Sequence, residues 1–399
     1  MFSKNKLLLI EPFTALPQTS GGKTRIFHTI IELQKYFSID LLSFFNNTSE
    51  KSLQDDWLAG NDLTAEYFEI NAKKFFSFLK TGQPYWFSDW FNSKLIVQLK
   101  QKDFSSYQRI IVEFTQLLYL VKYLPKNSSI QKIFVAHDIS SFTFWRRLVA
   151  EKNYLKKLVG FFRFLEVYFY ERQYLPKFNL VIAVSDHDAA ILRAQFGLKN
   201  VKVISNAISA VNILPITKKS SDLSLGYIGS FSHTPNFEAV KFIFNKILPQ
   251  LEKQNIKYNF YLAGDNPTDL FEKLIADSPI KNYSSITNLG RVGNLADFYQ
   301  KIDLLIAPIF AGSGTRIKIL ESLSFGRPVL TTTIGAEGIN LHTSLLKIID
   351  ERNGKNSKIW LEEIVKFFDQ EKILTSELEK LKTELAKLTW ERVFKENQL

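Results

Sequence analysis

Short apolar runs alternate with helical patterns twice along this chain, and few folds accommodate that rhythm. Leu7–Ile10, Ile39–Phe45, Arg109–Val112, Ile133–Ala136 and Leu180–Ser185 read as strands in the first half. Leu223–Gly229, Tyr258–Ala263, Ile286–Leu289, Leu304–Ile309 and Val329–Thr333 repeat the logic in the second. Near-continuous apolar strands joined by helical crossovers make parallel β-α-β units. A chain of 399 residues exceeds the usual ceiling for one core. The expectation is an α/β protein of two doubly wound, Rossmann-like domains facing across a cleft. The first spans 1–210 and the second 225–375, with a linker over 211–224 where Pro215 and the polar Thr217–Asp222 run fall. The remaining 376–399 contains a helical stretch, Ser376–Leu388, with Trp390 beyond it, packing outside the second domain or crossing back to the first. Ligands of open α/β sheets sit at the carboxyl ends of strands, so chemistry is sought there.

The most informative strand end lies between Pro308 and Pro328. The apolar run to Ile309 enters a loop with Gly312, Ser313 and Gly314, and a helix is expected from about Thr315 carrying Arg316, Lys318 and Glu321. Unpaired amides at a helix start, the helix dipole and two cations form an anion site suited to a diphosphate. Glu321, three residues beyond Lys318, is placed to accept from ribose hydroxyls. Phosphate, cation and carboxylate together suggest a nucleotide sugar.

Other strand ends add candidates. Gly229-Ser230 and His233-Thr234-Pro235-Asn236 follow the second domain's first strand; Gly229 lets a ligand approach the backbone, and Ser232 or Thr234 would cap a helix with Pro235 in its first turn. The same residues also make a serviceable strand-to-helix turn with no ligand. Gly290-Arg291-Val292-Gly293 offers backbone against which a flat base could lie, while Ala263-Gly264-Asp265-Asn266 reads as a structural turn. In the first half, Gly21-Gly22 precedes a helical Arg25–Leu33 pattern and can approach phosphate or sugar. Pro17 stands where a P-loop needs its first glycine, which argues against an ATPase, and the Gly-X-Gly-X-X-Gly spacing is also missing. His137 ends a strand and fits either a satisfied structural histidine or a cleft side chain. Asp186-His187-Asp188 has metal-like spacing, but Ser185 reads as a helix N-cap that would put both carboxylates in a first turn favoured by the dipole.

Composition narrows the classes. Zero cysteines exclude disulfides, thiolate metal sites and cysteine nucleophiles, and fit a cytoplasmic protein. A formal charge of +11 favours acidic partners in general. No apolar run reaches the roughly 18 to 20 residues that span a bilayer, and the apolar stretch before Glu11 is too short for a secretion signal. Phe142–Phe178, rich in Arg, Lys and aromatics, reads either as an amphipathic helix touching an anionic membrane surface or as a long helix packed on the sheet. Lys73–Lys102, with Phe75, Phe76, Trp86 and Trp90, carries the same two readings and could be an acceptor-side insertion.

Taken together these residues resemble a GT-B glycosyltransferase of the family 4 type, retaining and metal-independent. The matching points are Gly21-Gly22, His137, the strand end at Ser185, Asn206, Gly229, Gly290, Lys318, Glu321, Gly326, Pro328 and the Gly335-Ala336-Glu337-Gly338 turn. The resemblance implies that Gly22 approaches the donor phosphate, His137 faces the transferred sugar or the acceptor, and Glu321 holds the ribose. It also implies that Arg291 and Val292 flank the base and that Lys318 with Arg316 neutralises the diphosphate without Mg²⁺. Two departures stand out. Ser313 occupies the place of a common family Glu, and His233–Asn236 stands where many relatives have Arg and Lys. A subgroup with the pattern Gly-X-Gly-Thr-Arg-X-Lys-X-Leu-Glu fits better and moves the cationic duty to Arg316 and Lys318.

The expected activity is therefore transfer of a sugar from a nucleotide-diphosphate sugar to a hydroxyl of a glycan or lipid-linked acceptor, with no cofactor, no metal and no nucleic-acid partner. Domain closure would exclude water. Peripheral contact with an anionic membrane, at the inner face, is the companion expectation. A catalytically silent nucleotide-sugar-binding subunit and a sugar-nucleotide epimerase on the same architecture are the alternatives.

Overall fold

The computed structural model describes residues 5–70, 83–126, 129–214, 222–265, 268–312, 314–350, 353–369 and 375–397. They form two units, one running to Ser205 and joined by Asn397, the other covering Asn206–Glu396. Two doubly wound domains are what the alternating pattern required, and they are what the chain forms.

In the first unit β1 (Asn5–Glu11), β2 (Phe37–Phe45), β3 (Thr64–Glu69), β4 (Tyr107–Glu113), β5 (Gln131–Ala136), β6 (Leu180–Ala183) and β7 (Val201–Val203) pair in the order β3-β2-β1-β4-β5-β6-β7. Every pairing is parallel. The strand order reverses between β1 and β4, and the carboxyl ends there carry Glu11, Glu113 and, one residue past β5, His137. Helices α1 (Gly21–Leu33), α2 (Thr48–Ala59), α3 (Ser93–Gln101), α4 (Ser140–Ala150), α5 (Tyr154–Tyr174) and α6 (Asp186–Phe196) supply the crossovers. Helix α1 starts four residues earlier than its apolar pattern suggests. Extended Ser20 accepts from the Lys23 amide (3.3 Å), which puts Gly21 and Gly22 in the first turn instead of a loop before it. At α6, Ser185 Oγ accepts from the Asp188 amide (3.0 Å) and donates to Asp188 Oδ2 (2.6 Å), so this part of the Asp-His-Asp triplet is helix capping.

The second unit contains β8 (Leu223–Ile228), β9 (Tyr258–Ala263), β10 (Ile286–Gly290), β11 (Leu304–Ala307), β12 (Val329–Thr332) and β13 (Leu346–Ile349), ordered β10-β9-β8-β11-β12-β13 and again parallel. Its helices are α7 (Thr234–Phe242), α8 (Leu248–Lys253), α9 (Thr268–Ala276), α10 (Leu295–Tyr299), α11 (Ile317–Ser324), α12 (Ser357–Asp369), α13 (Thr375–Ala386) and α14 (Trp390–Asn397). Alternate residues of β11 serve opposite faces of the sheet. Leu304 and Ile306 join the core of Phe244, Phe260 and Trp360, while Leu305 joins that of Phe298 and Leu320. Leu381 and Leu385 bring α13 into the second of these cores. The chain entering this unit is bonded into it: Ile208 bridges to Thr389, and the Asn212 and Leu214 amides donate to Ser324 O (2.9 Å) and Phe325 O (3.1 Å). Of the expected linker, 215–221 lie outside the described residues. Among the described residues no helix is long and apolar enough to cross a membrane.

Candidate functional site

Helix α11 aims a cation at the carboxyl end of β8. Lys318 Nζ donates to Asn236 Oδ1 (2.8 Å) and Tyr227 Oη (3.0 Å), and Tyr227 Oη donates to the same Asn236 oxygen (2.8 Å). Asn236 also donates from Nδ2 to Ser230 O (3.0 Å), tying the cation to the loop that follows β8. Gly229 is required here for space: a Cβ on it would stand 2.6 Å from Lys318 Nζ and 2.8 Å from the Asn236 amide. Burial pulls the Lys318 ammonium down to about 7, the Arg316 charge acting in the same direction and Glu321 opposing. Glu321, one turn further along α11, is pushed up to about 7 by burial, with Lys318 opposing. Burial and the Arg316 charge both disfavour the ammonium form, and a neighbouring anion would favour it.

The loop before α11 is wound by positive φ at Gly312 (105°) and Gly314 (76°), which only glycine tolerates readily. Arg316 folds back over it, its Nη1 donating to Gly314 O and its Nη2 lying where a Cβ on Gly312 would come within 2.9 Å. The helix itself begins at Ile317, two residues later than expected, because Arg316 adopts the extended N-cap conformation and gives the helix no side-chain cap bond. Thr315 is buried and its carbonyl accepts from Asn206 Nδ2 (3.5 Å). Ser313 lies outside the described residues.

Neighbouring strand ends close around Gly229. Its amide donates to Ala263 O (2.9 Å), and Gly264, at φ 130°, packs so tightly that a Cβ there would meet Gly229 O at 2.4 Å. Gly264 N in turn donates to Gly290 O (2.8 Å). Ser230 Oγ donates to Asp265 O (3.1 Å). Arg291 is exposed and reaches Asp265 Oδ2 (3.4 Å), whereas Val292 packs partly against the core beneath. The expected cap of α7 is corrected: His233 is the N-cap and gives the helix no side-chain cap bond, and Ser232 Oγ instead pairs with Ser230 Oγ (2.8 Å). Thus Gly229, Ser230, Asn236 and Lys318 meet directly, with Arg316, Gly312 and Gly314 grouped on the loop before α11. Of the Ala263–Asn266 turn, Asn266 lies outside the described residues.

The first unit has its own polar cluster. His137 Nε2 lies 2.5 Å from Glu113 Oε2, with the carboxylate fully buried. Burial pulls the imidazole below its ordinary value while Glu113 opposes. A neutral ring donating from Nε2 keeps Nδ1 as an acceptor. Phe114 stacks on this ring at 3.6 Å and 10°, and holds a positive φ of 68° that a bulky residue adopts only at a cost of about 1–3 kcal/mol. Gly22 makes room for it: a Cβ there would meet Phe114 Cζ at 2.6 Å. Gly21, beside it, is exposed. Arg25 donates to Ile204 O (2.8 Å), and burial pulls its guanidinium to about 10 with the Glu113 charge opposing. At the end of β1, Glu11 accepts from Gln54 (2.9 Å) and is pushed up to about 7 by burial.

Sequence reasoning missed Tyr227, Glu113, Phe114, Arg25 and Glu11 as parts of these clusters. Both glutamates stand directly after a buried apolar run, the same signal that marked His137. Tyr227 was hidden as one more apolar strand residue.

Residues 222–353 match the family model described as Glycosyl transferases group 1. No curated protein matches the chain by sequence. Solved structures share its fold along nearly its whole length. A glycosyltransferase from Rickettsia africae superposes with TM-score 0.65 at 14% identity, covering 100% of this chain and 97% of its own. HepE of Anabaena, in complex with UDP and glucose, gives 0.66 at 14%, covering 99% and 98%. A TarM variant of S. aureus, in complex with UDP, fondaparinux and α-GlcNAc-glycerol, gives 0.67 at 11%, covering 99% of each. The architecture is GT-B, and residues 222–353 resemble the glycosyl transferases of group 1.

Proposed function

We propose that this chain is a retaining glycosyltransferase that moves a sugar from a nucleotide-diphosphate sugar to a hydroxyl acceptor in the assembly of a polysaccharide, glycolipid or other glycan. The observation that carries the reading is the Lys318 ammonium held against Gly229 at the carboxyl end of β8, hydrogen-bonded and partly buried. A diphosphate settling there would be met by this ammonium, by the nearby Arg316 guanidinium and by the amides that open α11. These groups stabilise the charge that grows on the leaving diphosphate as the glycosidic bond breaks. They do so without assigning a role to a divalent cation.

Asn236 and Tyr227 act as positioning residues, holding the Lys318 tip by hydrogen bonds. Glu321 takes the ribose hydroxyls, and Arg291 and Val292 the base. On retention, the leaving diphosphate accepts the acceptor proton on the face it departs from, so no dedicated pair of carboxylates is needed. His137 is assigned to the transferred sugar or the acceptor, its Nδ1 accepting from a hydroxyl. The acceptor class is a glycan or a lipid-linked glycan, in keeping with a peripheral, cytoplasmic enzyme.

HepE and TarM were solved with UDP, which makes uridine nucleotides the first ligands to try. Nucleotide sugars would be screened by thermal shift, and the hits assayed for nucleoside diphosphate release with candidate acceptors. Release that depends on acceptor supports the transferase. Donor conversion without acceptor would favour the epimerase, and binding with no turnover on any acceptor would favour a silent subunit.

A further inference from the structure

Helix α5 turns an apolar face to solvent. Asn153 caps it, accepting from the Lys156 amide (3.0 Å), and every side chain from Tyr154 to Val159 is exposed. Tyr154, Leu155, Leu158, Phe162 and Phe169 are 88, 76, 56, 62 and 60% exposed. At 3.6 residues per turn these five share one side of the helix, opposite buried Val167, Tyr170 and Tyr174. The anchoring of α5 is therefore complete without them. Preceding α4 leaves Val149 60% exposed as well. Monomeric soluble proteins rarely leave large side chains grouped in this way unless the group has a partner.

The charge around the face identifies that partner's chemistry. Between Arg146 and Arg163 there are six Lys or Arg residues against one acid, Glu151. Exposed Lys157 falls on one flank of the apolar face by helical spacing, and Arg163 on the other, its guanidinium 4.6 Å over the Trp86 ring; Lys156 lies further round, toward the buried side. Aromatic and aliphatic side chains bordered by cations are the pattern of a helix lying in the headgroup region of an anionic bilayer. An acidic protein partner would use the cations but would leave this much apolar surface unspent.

We infer that the solvent face of α4 and α5 docks on an anionic lipid bilayer, with Leu158 and Phe162 entering the acyl boundary and Lys157 and Arg163 on its flanks toward the lipid phosphates. Binding of this kind is independent of sugar transfer and is measured without donor or acceptor. The test is co-sedimentation with phosphatidylcholine vesicles, plain or carrying about 30% phosphatidylglycerol, at low and high salt. The wild type should bind the anionic vesicles and not the plain ones, and high salt should weaken it. The double variant Leu158→Ser/Phe162→Ser should lose about tenfold or more in vesicle affinity with unchanged circular dichroism and melting, since both positions are exposed. Lys157→Glu should weaken the salt-dependent part. Absence of wild-type binding, or binding that neither variant weakens, overturns the inference. So does a dimer in sedimentation velocity that Leu158→Ser/Phe162→Ser dissociates while vesicles go unbound, for the face is then a contact between copies.

Discussion

The ammonium of Lys318 occupies the space that a side chain at Gly229 would need, 2.6 Å from where its Cβ would stand. The two positions are therefore sterically coupled. Gly229→Ala should displace the Lys318 tip and lower turnover by about ten- to a hundredfold, and Lys318→Ala should lower it further. If the glycine serves the lysine, adding Gly229→Ala to Lys318→Ala should cost little more, and a double-mutant cycle on kcat/KM reads the non-additivity directly. Full additivity would assign Gly229 a separate role.

If Lys318 meets the diphosphate as proposed, nucleotide binding depends on pH with a definite sign. Burial holds its ammonium down to about 7 in the free protein, and a bound diphosphate favours the charged form, raising that value. Binding should take up a proton at and above neutrality. Affinity for a nucleoside diphosphate should fall as pH rises above about 7, by up to about tenfold per pH unit. Glu321, itself pushed up to about 7, is moved in the same direction by the anion. Calorimetry in two buffers of different ionisation enthalpy measures the proton uptake; none at pH 8 would be incompatible with this role for Lys318.

Glu11, in the first unit, predicts a change in stability. Its carboxyl is fully buried and pushed up to about 7 by that burial, with Ser43 and Gln54 opposing. A carboxyl raised in this way contributes its full stability below the unfolded value near 4.5, and that contribution is lost as pH rises through about 7. The cost above pH 7 is on the order of 3 kcal/mol. Glu11→Gln, which still accepts from Gln54, should raise the melting temperature at pH 8 and leave it nearly unchanged at pH 5. Equal effects at both pH values would contradict the ionisation argument.

Phe114 is held by its neighbours in a conformation it would not choose. Gly22→Ala would push a methyl into its ring, and overpacking at such a site costs about 1–3 kcal/mol. The melting temperature should fall accordingly, and Phe114→Leu in the same chain should recover part of the loss. The His137 ring should lose the upfield ring-current shift of its protons in Gly22→Ala, because the stacked Phe114 face has moved. An unchanged spectrum would mean that the stack does not depend on Gly22.

Much of the fold was legible because buried parallel strands announce themselves as apolar runs. The strands that escaped, β3, β7 and β13, are all at sheet edges. Their sequences, Thr64-Ala-Glu-Tyr-Phe-Glu69, Val201-Lys-Val203 and Leu346-Lys-Ile-Ile349, are short or interrupted by charge, and one side of each pairs with no strand among the described residues. Edge strand β10 was readable only because turn residues bracket it. The loop and helix with Gly312, Arg316, Lys318 and Glu321 were legible from spacing, since loop glycines and helix periodicity are local. What holds Lys318 was not: Tyr227 and Asn236 are 91 and 82 residues away, and no local pattern signals a pairing of that range. The same applies to Glu113 and His137, separated by 24 residues and joined only by the pairing of β4 with β5.

The central claim is that the Lys318 ammonium is the counter-charge for a diphosphate. Calorimetric titration of UDP, GDP, ADP and CDP into the wild type and Lys318→Met tests it most directly. Asn236 and Tyr227 still satisfy each other in the variant, so it should melt at or above the wild-type temperature. At least one nucleotide should bind the wild type and lose about a hundredfold or more in affinity in Lys318→Met. Equal affinity for the two proteins, or no binding of any of the four to the wild type, would contradict the account.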